Sequence, residues 1–201
     1  MDWMEIFTLV TGIIYLVLEI RQKNFMWVLG VVNAAAAMYM FWKGSLYASF
    51  VVNAYYFLVS FWGFYQWRKD AAGLHASCDN VSSDAVSGDD VIHLNRITLK
   101  TVAVSAVLMA VLSAALILLL DRLDDPMSAL DAPVAVLGAI ATFWLSRSYK
   151  EQWLLWIVAN LFSTVLCLTQ GLYWMSLLYI VYTLSSIYGY SHWRRNGIYL
   201  K

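Results

Sequence analysis

The sequence predicts an all-α integral membrane protein of seven transmembrane helices, and three observations carry that expectation. Of the 201 residues, 62% are hydrophobic and 13% charged, against about half and about a quarter in soluble domains. One soluble core could not hide so much apolar surface. Seven apolar runs, at about 4–20, 25–42, 47–67, 99–120, 128–145, 152–169 and 173–193, approach the roughly 20 residues of helix that cross a bilayer. Most of these runs contain no charged residue. The two prolines, Pro126 and Pro133, stand at or near the start of the fifth, where a helix tolerates them best.

Span one opens on Asp2 and Glu5 and lacks a basic leader and a small-residue cleavage site, so it reads as a span rather than a signal peptide. Its other charge, Glu19, lies near its far end. Span two carries a mid-span amide, Asn33. In span three, Asn53, Tyr56, Ser60, Gly63 and Trp67 step by three or four residues and share one face. Residues 70–97, "DAAGLHASCDNVSSDAVSGDDVIHLNRI", are rich in Ser, Asp, Ala and Gly and read as a flexible linker. Span four, 99–120, has no relative elsewhere in the chain. Span six carries Trp156 and Asn160, and span seven repeats the stripe of span three as Tyr179, Tyr182, Ser186, Gly189 and Trp193.

That repetition is the main organisational signal. At an offset of 126, Tyr47 pairs with Tyr173, Tyr56 with Tyr182, Ser60 with Ser186, Gly63 with Gly189, Trp67 with Trp193 and Arg68 with Arg194. Upstream, Arg21 pairs with Arg147 and Trp27 with Trp153. Allowing one extra residue pairs Asn33 with Asn160 and Gly44 with Gly171. Residues 1–67 thus form one three-helix repeat, 68–98 the linker, 99–120 a central helix and 121–201 the second repeat. Three helices invert a direct fusion, and the odd fourth span restores a parallel orientation, giving a 3+1+3 arrangement. Parallel repeats are a recognised transporter design with substrate held near the midplane between them.

Charge is segregated by side. The connections after spans one, three and five, with the C-terminal tail, hold eleven Lys and Arg; the opposite side holds Lys43 and Arg122. Excess basic residues mark the cytoplasmic face, so the expected orientation is N-terminus outside and C-terminus inside. Trp3, Trp27, Trp67, Trp153 and Trp193 stand at span ends, as headgroup anchors do. Zero net charge says nothing here about acidic or nucleic-acid partners, because the charge is segregated by side. The expected partners are a small-molecule substrate and the lipid bilayer, with no nucleic acid. Cys78 and Cys167 lack CxxC spacing, and His75, His93 and His192, in or next to solvated segments, form no metal-ligand pattern. Neither metal nor cofactor is expected. The spans contain no HExxH, no Ser/His/Asp set and no paired carboxylates, which argues against an enzyme.

Mid-span Asp, Glu, Lys and Arg are absent, as befits a passive facilitator rather than an ion-coupled carrier. Tyr, Trp and Asn inside the spans suit a flat ring, including a cationic one. Asn53 and Asn160 are the candidate hydrogen-bonding groups, and Tyr56, Tyr179, Tyr182 and Trp67 the candidate aromatic cage or gate. Ser49, Asn33 and Trp156 complete the candidate set. Ser60, Ser186, Gly63 and Gly189 read as helix-packing residues.

The stretches "GSLYASFVVNAYYFLVSFWGFYQW" and "QWLLWIVANLFSTVLCLTQGLYWMSLLYIVYTLSSIYGYSHW" resemble the PnuC family of bacterial vitamin transporters, across all seven spans. The resemblance implies a SWEET-like packing of the 3+1+3 helices, a homotrimer and a location in the bacterial inner membrane. It also implies facilitated diffusion of an unphosphorylated vitamin that a cytoplasmic kinase then traps. Nicotinamide riboside members would carry an acid at Ser49, Gln at Asn53 and Gly-Trp at Gly63-Phe64. Asn53-Ala54-Tyr55-Tyr56 looks more like the thiamine branch, leaving nicotinamide riboside and thiamine as near-equal expectations. Riboflavin or a sugar is the alternative.

Overall fold

The computed structural model describes residues 3–45, 47–78, 92–123 and 131–200. Among the described residues seven helices form, one for each apolar run: α1 (Trp3–Ile20), α2 (Phe25–Lys43), α3 (Tyr47–Cys78), α4 (Leu99–Leu123), α5 (Asp131–Ser146), α6 (Gln152–Thr169) and α7 (Tyr173–Asn196). By length and apolarity alone, α2, α6 and residues 99–119 of α4 qualify as membrane crossings. The aromatic helices α3 and α7 fall outside that criterion because Tyr, Trp and Ser lower mean hydropathy, although Tyr and Trp sit readily in a membrane. α4 is the outermost helix, packed on α5 and touching α3, with Val107 and Leu118 exposed. Such a face is stable against lipid rather than water.

The bundle is interleaved. α2 packs along α3 and α6 along α7, while α3 also leans on α5 and α7 on α1. At the basic end, the turns after α1 and α5 are alike. Gln22 and Ser148 both adopt left-handed φ, 51° and 57°, and close their helices with the same pair of backbone bonds. They lie 126 residues apart and touch, Gln22 Nε2 donating to Ser148 Oγ at 3.1 Å. At the other end, Ser45 (φ 57°) and Gly171 (φ 73°) make corresponding turns. With both ends of α2 and α6 in register at one offset, no extra residue lies between them. Ala34 therefore corresponds to Asn160, and Asn33 to Ala159, which corrects the Asn33–Asn160 pairing expected from sequence.

Four tryptophans form a buried layer near the basic end, beside the Gln22 and Ser148 turns. Trp27, Trp67, Trp153 and Trp193 are each 0–1% exposed, with edge-on contacts between Trp27 and Trp67 (centroids 5.1 Å), Trp67 and Trp193 (6.4 Å), and Trp153 and Trp193 (5.6 Å). The layer is stitched across the bundle. Trp67 Nε1 donates to Leu145 O in α5 at 3.0 Å, and Trp193 Nε1 to Ile20 O in α1 at 2.9 Å. These four are core residues, not headgroup anchors. The slots of Trp27 and Trp153 exist because a Cβ on Gly63 would collide with the Trp27 ring, and one on Gly189 would lie 2.7 Å from the Trp153 ring. The side chain of Trp3 lies outside the described residues.

The linker expectation also needs correction at both edges. α3 continues past residue 67 to Cys78. Residues Ile92–Leu94 form a strand, β1, pairing in parallel with β2 (Gly197–Tyr199). All three β1 residues are buried, including His93, which sequence had placed in or next to solvated chain and which meets Trp67 edge-on at 6.0 Å. Gln22 holds the strand with both ends of its amide: Nε2 donates to His93 O at 3.0 Å, and Oε1 accepts from His93 N at 2.8 Å. Asn95 Nδ2 donates to Asp70 Oδ2 (3.2 Å) and Arg147 O (2.9 Å). The central part of the linker, 79–91, lies outside the described residues.

Candidate functional site

Above the tryptophan layer, helices α1, α2, α3, α5, α6 and α7 line an open cavity of about 470 Å³, within the range of small-molecule sites. Two close crossings shape it. A Cβ on Gly12 (α1) would lie 2.7 Å from the Tyr182 hydroxyl (α7), and one on Gly138 (α5) 3.1 Å from the Tyr56 hydroxyl (α3). Glycine at these two crossings lets each tyrosine reach the interior. Ser60 Oγ donates to Tyr56 O and Ser186 Oγ to Tyr182 O, at 2.7 and 2.8 Å. Both serine protons are thus spent within their own helices, and Ser60 also sits against Gly30.

Six of the sequence candidates line this cavity: Asn33, Asn53, Tyr56, Trp156, Asn160 and Tyr182. Asn160 is 7% exposed, whereas Asn33 is an exposed lining residue. Asn53 Nδ2 donates to Ser49 O at 2.9 Å, which orients the amide and spends one of its two N–H donors. Trp156 Nε1 is buried without a protein partner among the described residues. A ligand acceptor would satisfy it, since a buried indole N–H usually finds one.

Three candidates do not join the lining. Ser49 supplies a backbone carbonyl to Asn53 one turn away, and Tyr179 packs edge-on behind Tyr182 at 6.3 Å. Trp67 belongs to the tryptophan layer, where its N–H is already bonded. Sequence reasoning missed Gly12, Tyr15, Glu19, Gly30, Thr142 and Trp153, all of which line the cavity. A helical count from Glu19 back to Leu16, Tyr15 and Gly12 would have put these on one face of span one. Among the described residues, the lining contains neither lysine nor arginine.

A profile of the nicotinamide mononucleotide transporter family matches residues 2–195. The chain belongs to that family. Among relatives in this transporter family is the nicotinamide riboside transporter PnuC of Escherichia coli strain K12, 24% identical over 96% of this chain and 85% of its own length. Those of Neisseria mucosa and Haemophilus influenzae are 28% and 27% identical, also over 96% of this chain, covering 73% and 80% of theirs. The fold resembles the crystal structure of the vitamin B3 transporter PnuC, with a TM-score of 0.66 over 93% of this chain and 78% of that one, at 24% identity. The family expectation drawn from the repeated aromatic stretches is borne out, and the chain is a membrane transporter rather than an enzyme.

Proposed function

We propose that the protein is a facilitator of the bacterial inner membrane that carries an unphosphorylated vitamin with a cationic aromatic ring, nicotinamide riboside or thiamine. The observation that carries this reading is the cavity: aromatic rings and amides in the lining and, among the described residues, no lysine or arginine that would hold a phosphate. A nucleotide's phosphate would enter such a site undersatisfied, whereas a nucleoside or thiamine would not. The names of its relatives support nicotinamide riboside; Asn53, one methylene shorter than the Gln expected for that substrate, supports thiamine.

In this reading Asn53 and Asn160 hydrogen-bond the substrate, Tyr56, Tyr182 and Trp156 wall its ring, Tyr179 and Ser49 buttress those groups, and Asn33 stands at the mouth. Trp67 belongs to the barrier beneath. The two three-helix halves act as parallel, SWEET-like repeats around the site, joined by α4, with the basic end cytoplasmic and three copies forming a homotrimer. A cytoplasmic kinase then traps the vitamin by phosphorylation. Uptake of labelled nicotinamide riboside and thiamine into proteoliposomes tests the core claim: saturable flux down the gradient, without an imposed proton or sodium gradient, is expected. No saturable flux for either, or flux only with riboflavin or a sugar, overturns it.

A further inference from the structure

Resting on the reading of this cavity as the vitamin site, we propose that Glu19 is its counter-charge, the residue that selects a positively charged ring over a neutral ring of the same shape. Gly12, Tyr15, Leu16 and Glu19 fall on one face of α1, and all four line the cavity. Glu19 is 5% exposed. Its carboxylate accepts one hydrogen bond from Gln152 Nε2, and at 3.4 Å that contact is far longer than a strong charge-assisted bond of about 2.7–2.9 Å. Among the described residues, neither lysine nor arginine lines the cavity. A carboxylate withdrawn from water needs a positive partner or several donors, and among the described residues the cavity supplies one weak donor.

A cationic ring entering the cavity provides what is missing. Glu19 lies in the same lining as Trp153 and Trp156, so charge pairing and cation–π attraction act on one ring together. The carboxylate also breaks the likeness of the two halves. The residue 126 positions on is Leu145, so positive charge is drawn to the α1 wall alone, and the substrate has one favoured orientation. The amide of Gln152 beneath it has an unpartnered oxygen, Oε1, and holds Glu19 without neutralising it.

Equilibrium binding to the detergent-solubilised full chain tests this with two matched pairs: nicotinamide riboside against its uncharged 1,4-dihydro form, and thiamine against uncharged 3-deazathiamine. In whichever pair binds, the cation should bind at least tenfold more tightly to the unaltered protein. Glu19→Gln should lower affinity for the cation about tenfold or more and leave the neutral partner unchanged, while Glu19→Asp keeps the preference. Equal affinity of the unaltered protein for cation and neutral isostere overturns the proposal, and that measurement needs no variant to fold. A Glu19→Gln loss shared by the neutral compound marks a structural carboxylate and also overturns it. Absence of binding by all four compounds overturns the vitamin reading itself, a failure distinct from the other two.

Discussion

Single glycines and amides set the geometry on which everything else rests. Gly63 admits the Trp27 ring and Gly189 the Trp153 ring, and neither indole can retreat from a layer with 0–1% exposure. Gly63→Ala and Gly189→Ala should each destabilise the protein by about 1–3 kcal/mol through overpacking, read as a lower melting temperature in detergent. Gly73 has nothing within 4 Å of its would-be Cβ, so Gly73→Ala should be neutral or stabilising by up to about 1 kcal/mol. In the cavity, Asn160→Leu removes a buried amide whose side chain makes no hydrogen bond to another helix among the described residues, and leaves the Thr164 Oγ1 bond to its backbone oxygen in place. Substrate affinity should fall roughly tenfold or more, with the elution profile unchanged. Unaltered affinity would remove Asn160 from the site. The sequence pattern pointed to Asn53, Tyr56, Asn160 and Tyr182 because polar groups within apolar helices must face the interior. It misassigned Trp67 because a tryptophan beside two basic residues looks the same whether it anchors at a headgroup or plugs a core.

Among the elements, the turn at Gln22 and the strand β1 work as a pair. A glutamine at φ 51° is unfavourable without compensation. Here its amide bonds both backbone groups of His93 and the Ser148 hydroxyl. Gln22→Ala should lose these bonds and leave His93 N–H unsatisfied in a buried strand, costing about 1–3 kcal/mol. Hydrogen exchange at residues 92–95 should accelerate while α6 stays protected; unchanged exchange at 92–95 would show that β2 alone holds the strand. Composition could not reveal this strap. A three-residue strand carries almost no periodic signal, and its partner lies about a hundred positions away at the C-terminal end. The seven helices, by contrast, were legible because an apolar run of membrane length has few other stable forms.

For the whole molecule, the two halves are alike in frame and unlike in lining. Gly12 against Tyr182 and Gly138 against Tyr56 are corresponding contacts, as are the turns at Gln22 and Ser148. Yet Tyr15 corresponds to Ala141, Glu19 to Leu145, Gly30 to Trp156 and Asn53 to Tyr179. The frame is shared and the contents are not, so a pocket between such halves can grip an asymmetric ligand. The basic residues gather at the end that holds the tryptophan layer, and the expected orientation puts that end in the cytoplasm. A fluorescent protein fused after Lys201 should therefore fluoresce in intact cells, and an alkaline phosphatase fused there should stay inactive. An active phosphatase would invert the assigned orientation and put the tryptophan barrier on the outer face.

By itself the sequence determined the class of protein, the seven helices and the recurrence of aromatic stripes, because lipid exposure and backbone satisfaction leave few alternatives for such composition. Tertiary structure alone decided which polar groups meet. It put Ala34 rather than Asn33 in correspondence with Asn160, drew Trp67 into the core, docked residues 92–94 on the C-terminal strand and brought Glu19 to the cavity. The first rests on the left-handed turns and the third on backbone pairing; for Trp67 and Glu19 the physical reason is shared. Helical spacing settles which residues share a face, whereas the close approach of α1 to α7 and of α3 to α5 settles which faces meet.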